Sequence, residues 1–268
     1  MSELIQYPPL THYRNRYQAI PVQPLQITAH LRPNAPVVSY DPIHLDNFLA
    51  WCVVMESTMG QGLPPSDAPY ELPVPLQRLW QDDRGLPLYA ATCFQPVGAT
   101  VPDTVYWHKR AQSGRWTGTK TGRFPRETIK GRWMERRVPT PATICRRWTA
   151  RCIGNAGEIL GLLENVNFIG KRRSIGFGEV EQWEIEPLPI DLAGPSILVD
   201  NGRLTRPIPF EAAALLPSPP AEPPQLVGWT MPQWKPSLFS EGWRCGTPLS
   251  PAPDPTPDID FFVTIDTL

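Results

Sequence analysis

Leu25, Ile27, Ala29 and Leu31 alternate with Gln26, Thr28 and His30. Period two over seven residues predicts a strand with one buried face, because successive side chains of an extended chain point to opposite sides. Leu45, Phe48, Leu49, Cys52 and Met55 then recur at helical spacing, which predicts a helix over residues 42–58 packed on the sheet. Asp41 and Pro42 ahead of it suit an N-cap followed by the first helical position. A proline-rich connection runs from residue 60 to 87, with a short helix expected near residues 76–80. Residues 87–95 read as a second strand and residues 104–108 as a third.

The pattern resumes at residues 143–153. Ile144, Trp148, Ala150 and Cys152 share one face there, and Arg147, Thr149 and Arg151 share the other, so this is a strand with one basic face. Asn155 and Glu158 stand three residues apart, close to a capping box, ahead of an amphipathic run carrying Ile159, Leu160, Leu162, Leu163 and Val166. Residues 179–186, with Trp183 and Ile185, form a last strand. The order is strand, helix, strand, strand with an insertion, helix, strand. The expected fold class is therefore α+β, a ferredoxin-like βαββαβ domain over residues 25–187. Residues 1–24 are expected to form an N-terminal arm, and residues 188–268 a proline-rich C-terminal extension with one further strand at 259–265.

Composition changes this picture in two ways. The chain has 268 residues and 35 prolines, far above average usage, which predicts many rigid extended connections. Net charge is only −1, yet residues 109–173 hold 16 of the 25 Lys and Arg residues and 4 of the 26 acids. So polarised a chain offers one surface to a polyanion. Within it, residues 109–141 are poor in apolar side chains and rich in cations and glycines. They are expected to protrude as an inserted basic arm that is poorly ordered alone. Five cysteines without a C-x-x-C pair suggest free thiols in a reducing cytoplasm. No apolar run approaches a membrane span, and no metal or cofactor site is indicated.

The densest chemistry lies between the second helix and the last strand. Gly170, Lys171, Arg172, Arg173, Ser174, Ile175, Gly176, Phe177 and Gly178 put three glycines and three consecutive cations into nine residues. Glycine permits positive φ and the close approach of another backbone, and the cations suggest that a phosphate is what approaches. A tight turn with solvated charges is the plainer reading. The loop is neither a Walker loop nor a dinucleotide fingerprint, since no G-K-[ST] has the required spacing and the glycines precede a strand.

A ferredoxin-like domain whose second helix runs into G-[KR]-x-x-[ST]-x-G-x-G resembles the RAMP superfamily of CRISPR proteins. The helical run His44, Leu45, Asp46, Asn47, Phe48, Leu49, Ala50 is similar to the h-L-D-x-L-L-A run of several such subunits. With Trp183 and the segment Arg206, Pro207, Ile208, Pro209, the chain most resembles the "Cas five" type subunit of type IV effector complexes. That resemblance implies a non-catalytic protein that binds the 5′ handle of the CRISPR RNA and caps one end of a ribonucleoprotein. Its partners would be the first backbone subunit and the large subunit, and it would assist at target DNA near the protospacer-adjacent motif. The inserted arm would match the thumb of such subunits, although it is longer and more basic.

On this reading the RNA-binding candidates are the loop residues Gly170, Lys171, Arg172, Arg173, Ser174, Gly176, Phe177 and Gly178, with Arg147 and Arg151 on the basic strand. The arm adds Lys109, Arg110, Arg115, Lys120, Arg123, Arg126, Lys130, Arg132, Arg136 and Arg137 as phosphate neutralisers. Trp116 and Trp133 are candidates to stack bases, or anchors for the arm. His44 carries the alternative. A neutral imidazole at a helix start beside RNA could deprotonate a 2′-hydroxyl, making the protein a metal-independent repeat endoribonuclease. A third reading is a basic-armed adaptor that binds protein.

Overall fold

The computed structural model describes residues 4–109, 136–189, 194–233 and 235–251. Along the chain, α1 (Thr11–Tyr17) leads into β1 (Gln23–Leu31), the two short strands β2 (Val37–Val38) and β3 (Ile43–His44), and α2 (Leu45–Ser57). Next come β4 (Arg78–Gln81), β5 (Pro87–Tyr89), β6 (Cys93–Val97), β7 (Val101–Lys109) and β8 (Arg136–Ile144). Then follow β9 (Arg147–Gly154), α3 (Ala156–Leu163) and β10 (Val180–Pro187). The C-terminal third adds β11 (Val199–Asp200), β12 (Arg203–Leu204), β13 (Ile208–Pro209), β14 (Gln225–Gly228) and β15 (Phe239–Trp243). The architecture is mixed α+β with antiparallel ladders.

The main sheet has five strands in the order β10-β1-β9-β6-β3, and each neighbouring pair is antiparallel. The alternation in β1 fixes its inner face, because Leu25, Ile27, Ala29 and Leu31 are all buried in the first core. Trp148, Ala150 and Cys152 of β9 meet the same core, as do Leu45, Leu49 and Val53 of α2 and Ile159 and Leu163 of α3. Helices thus cover one face of the sheet. The Asn155 side chain caps α3 by accepting from the Glu158 N–H at 3.0 Å, as the sequence suggests. Glu158 does not reach back to complete the box, but takes Arg16 instead.

Several sequence expectations are corrected. Residues 104–108 do not join the main sheet. They belong to β7, which pairs with β8 from Val101↔Ile144 to Lys109↔Arg136, in a separate sheet of order β2-β8-β7. Residues 87–95 are two strands, β5 and β6, in different sheets. The helix expected near residues 76–80 is β4, paired with β5 across a turn that the Asp82 carboxylate closes by accepting from the N–H groups of Arg84 and Leu86. Asp41 is not the N-cap of α2. Ile43 pairs with Phe94, so the helix starts only after His44. The N-terminal segment packs on the domain: Leu10 is fully buried, and Tyr13 and Tyr17 lie against the first core.

The C-terminal residues contribute to a second core. Ile197, Leu198, Leu204, Ile208, Val227, Trp229, Leu238 and Trp243 are buried together with Leu86, Leu88, Ala90 and Ile153. A buried ion pair joins this part to α2. Arg206 Nη2 lies 2.9 Å from Asp46 Oδ2, and the two side chains are 1% and 2% exposed. The same guanidinium donates to the carbonyls of Tyr89, Ala91 and Trp229. The expected strand at 259–265 lies outside the described residues.

Replacing one member of this pair should be far worse than replacing both. Arg206→Met leaves the Asp46 carboxylate buried without its partner and should cost about 3–5 kcal/mol. Asp46→Leu combined with Arg206→Met should recover part of that loss. Urea denaturation of the two single variants and the double variant measures the coupling. Additive losses would mean that the pair contributes nothing as a pair.

Candidate nucleic-acid interface

The glycine-rich loop leaves α3 through the buried Ile169 and returns at Glu179, where Phe168 and Glu179 form an antiparallel bridge. Its base is sewn to β2. Lys171 donates its N–H to the Val38 carbonyl at 2.7 Å, Gly178 to Pro36 at 2.9 Å, and Ile169 to the Gly178 carbonyl at 2.9 Å. Arg172 at φ 62° and Gly176 at φ 87° bracket a short turn at Arg173–Ile175. The three glycines have different reasons for being there. A Cβ on Gly170 would lie 2.7 Å from the Val38 carbonyl oxygen, and one on Gly178 would collide with the Ile169 carbonyl. Those two admit the protein's own backbone. Gly176 alone faces open space.

Two of the loop cations, Lys171 and Arg173, lie over aromatic rings. Lys171 Nζ is 4.8 Å from the Tyr40 ring centroid and 3.7 Å from Asp41 Oδ2. Arg172 hydrogen-bonds the Tyr40 side chain. Arg173 stacks over Trp51 of α2 at 4.0 Å, and its burial there lowers the guanidinium pKa. Tyr40 is itself 51% exposed and donates its hydroxyl to Thr140 of β8 at 3.1 Å. The loop, the Tyr40 turn and the root of the β7–β8 hairpin are thus one connected surface. Ser174, Ile175 and Gly176 are its exposed crest, while Phe177 is half-buried and Gly178 buried.

The remaining candidates fall elsewhere. Arg147 and Arg151 stand on the face of β9 opposite the core, where Arg147 is exposed and Arg151 pairs with Asp200 at 2.9 Å. They do not meet the loop cations, which lean toward Tyr40, Asp41 and, for Arg173, Trp51 of α2. On the hairpin, Arg137 covers the Tyr106 ring at 3.9 Å. Lys109 and Arg136 are a pair in the β7–β8 ladder. Arg110, Arg115, Trp116, Lys120, Arg123, Arg126, Lys130, Arg132 and Trp133 lie outside the described residues. Sequence reasoning missed Tyr40 and Trp51. Both contacts join positions far apart in the chain, and only an aromatic beside an Asp-Pro step and a Trp off the helix's apolar stripe hinted at them.

His44 is 6% exposed, and its Nδ1 has no hydrogen-bond partner among the described residues. Burial depresses its pKa from 6.5 to about 3, with Asp46 opposing and Arg206 adding to the shift. The neighbouring Asp46 carboxylate is held by Arg206. Among the described residues no group of three His, Cys, Asp or Glu side chains is placed to hold a metal, and the five cysteines are free thiols. Nor is any helix there long and apolar enough to cross a membrane.

What these features define is an α+β protein that presents a basic, glycine-turned loop beside an antiparallel sheet. Residues 23–189, more than half of the chain, match the family described as CRISPR type IV associated protein Csf3, and the chain belongs to that family. No curated protein matches it.

Two measurements check this geometry. Gly178→Ala should destabilise the fold far more than Gly176→Ala, whose cost should stay near about 1 kcal/mol because only positive φ is violated. Thermal melts of the two variants decide it, and equal losses would mean the loop base is not packed as described. His44 sets a pH dependence. The unfolded chain takes up a proton as pH falls through 6.5, whereas the folded chain does so only near 3. Stability should therefore fall with pH across this window, with a limiting slope of about 1.4 kcal/mol per unit from this group. His44→Leu should remove that component in urea titrations at pH 7 and pH 5; an unchanged difference would place its origin elsewhere.

Proposed function

We propose that this chain is a non-catalytic RNA-binding subunit of a type IV CRISPR effector ribonucleoprotein. It holds the 5′ handle of the CRISPR RNA, caps the backbone filament, and assists recognition of target DNA beside the protospacer-adjacent motif. The observation that carries this reading is the exposed Ser174–Gly176 crest with Lys171, Arg172 and Arg173 at its side, inside the region that matches the family. Unhindered backbone at Gly176 and cations held over rings suit contact with a sugar-phosphate chain. The strand order β10-β1-β9-β6 supports a ferredoxin-like βαββαβ core, with β7 and β8 as the root of the inserted arm. The backbone and large subunits are the protein partners in this proposal, and the cytoplasm is where it acts.

Burial of His44 argues against the alternative, a repeat endoribonuclease. An imidazole that is 6% exposed offers no access to a ribose hydroxyl. Incubating the protein with labelled repeat RNA in EDTA tests this directly, and discrete metal-independent cleavage would overturn the non-catalytic reading.

Lys171→Ala/Arg172→Ala is the sharper test of binding, and Arg173 is retained because it packs on Trp51. For single-stranded RNA, each phosphate that is no longer neutralised should flatten the plot of log K against log salt by about 0.7. The double variant should therefore bind a fluorescein-labelled repeat RNA more weakly, with a slope shallower by about 1.4 if both cations touch phosphate. Fluorescence anisotropy over a potassium chloride series reads both quantities. Wild-type affinity with a wild-type slope would mean that the loop cations are only solvated.

A further inference from the structure

The face of the main sheet turned away from the helices is not bare. The β11–β12 turn and the loop at Cys245 and Gly246 stand over it and leave a cavity of about 580 Å³, open to solvent. Its floor includes Gln26 of β1, Cys93 and Gln95 of β6, and Thr149 of β9, while Asn201 lines its wall. This space has no part in the loop surface described above. The volume falls within the range of small-molecule sites, about 300–1,000 Å³, and exceeds what a single base needs.

The lining decides what fits. Its two arginines are already engaged: Arg151 pairs with Asp200 at 2.9 Å, and Arg203 donates to the Gly246 carbonyl at 2.8 Å. Arg151 is thus neutralised, and Arg203 is tied to the backbone through one of its nitrogens. The amides of Gln26, Gln95 and Asn201 and the Thr149 hydroxyl supply donors and acceptors without net charge. Among the described residues the Gln95 amide makes a long contact, 3.7 Å, to Cys245 Sγ. Pro96 and Val97 add apolar surface beside these groups. Donor and acceptor edges next to an apolar wall suit a planar, uncharged ring with polar edges. Just outside, the exposed Arg147 lies directly across the ladder from Val97, where it can meet a phosphate attached to such a ring.

We propose that this cavity captures one nucleobase turned out of a single-stranded RNA, with Arg147 on the adjoining phosphate. The proposal deepens the RNA-binding reading and rests on it. Base-edge recognition here gives the protein sensitivity to a single position, which the loop, acting on backbone, does not provide.

The test uses fluorescein-labelled repeat RNA in which each 5′ nucleotide in turn is replaced by an abasic one. Wild-type protein should lose affinity about tenfold at one position and little at the others. Thr149→Phe, which fills the cavity, and Gln95→Leu, which removes an amide at nearly constant volume, should bind more weakly and be indifferent to that abasic site. Lys171→Ala/Arg172→Ala should bind more weakly at every position while keeping the sensitivity. Uniform tolerance of abasic sites by the wild type would overturn the proposal and leave loop binding intact, as would sensitivity that survives in Gln95→Leu. If no RNA binds at all, the RNA reading fails. The four nucleoside 5′-monophosphates, titrated calorimetrically, then decide the cavity. Binding by the wild type that Gln95→Leu loses would support base capture, and no binding would overturn it.

Discussion

The contact between Arg206 and Asp46 holds the two cores of this protein together. Asp46 belongs to the first turn of α2, whose apolar side packs in the core under the main sheet. Arg206 belongs to the C-terminal third and lies beside the core built around Trp229. Two charges this deep are expensive to bring out of water, and their attraction offsets that only when the surrounding polar groups are also satisfied. Both terminal nitrogens of Arg206 are satisfied, by Asp46 and the carbonyls of Tyr89, Ala91 and Trp229, while its Nε has no partner among the described residues. Arg206 therefore fixes the strand approach at residues 89–91, the helix start and the C-terminal segment in one geometry. His44 sits beside this pair, and burial holds it neutral, with Asp46 opposing and Arg206 adding a smaller part.

The nine-residue loop obeys a similar economy of backbone. Two of its glycines admit the chain's own carbonyls at Val38 and Ile169, and the third stands free. A glycine-rich sequence is thus no proof that every glycine serves a ligand. The packed pair makes the free one useful, because a crest anchored by hydrogen bonds to Pro36 and Val38 presents its backbone in a fixed shape. Pre-formed N–H groups and pre-positioned guanidinium planes lose less entropy when they bind than a mobile basic tail does.

How much of this was legible in the sequence depended on the range of the interaction that decided each element. The buried face of β1, the Asn155 cap and the position of the loop follow from spacing within a few residues, and the structure has all three. Residues 76–80 misled because Leu76 and Trp80 fit helix and strand equally, and pairing with β5 across the Asp82 turn settled the matter. The start of α2 was moved by a long-range partner, Phe94, which holds Ile43 extended. The second core was invisible because strands of two residues, such as Ile208–Pro209, leave no period to detect. Apolar residues isolated among prolines look like a linker until their partners are seen.

The charge asymmetry of the chain takes a spatial form that its net value hides. On the open sheet face Asp200 lies against Arg151 at 2.9 Å. At the loop, Lys171 faces Asp41 across a looser 3.7 Å and leans over the Tyr40 ring. A ring under a cation attracts it without cancelling its charge, so the loop keeps its positive character. A polyanion would be drawn to the loop and the hairpin root by long-range attraction, which salt screens beyond about 10 Å at moderate ionic strength. Short-range groups on the sheet face would then sort what has already arrived. On the proposed reading, affinity would come from the loop and selectivity from the open sheet face.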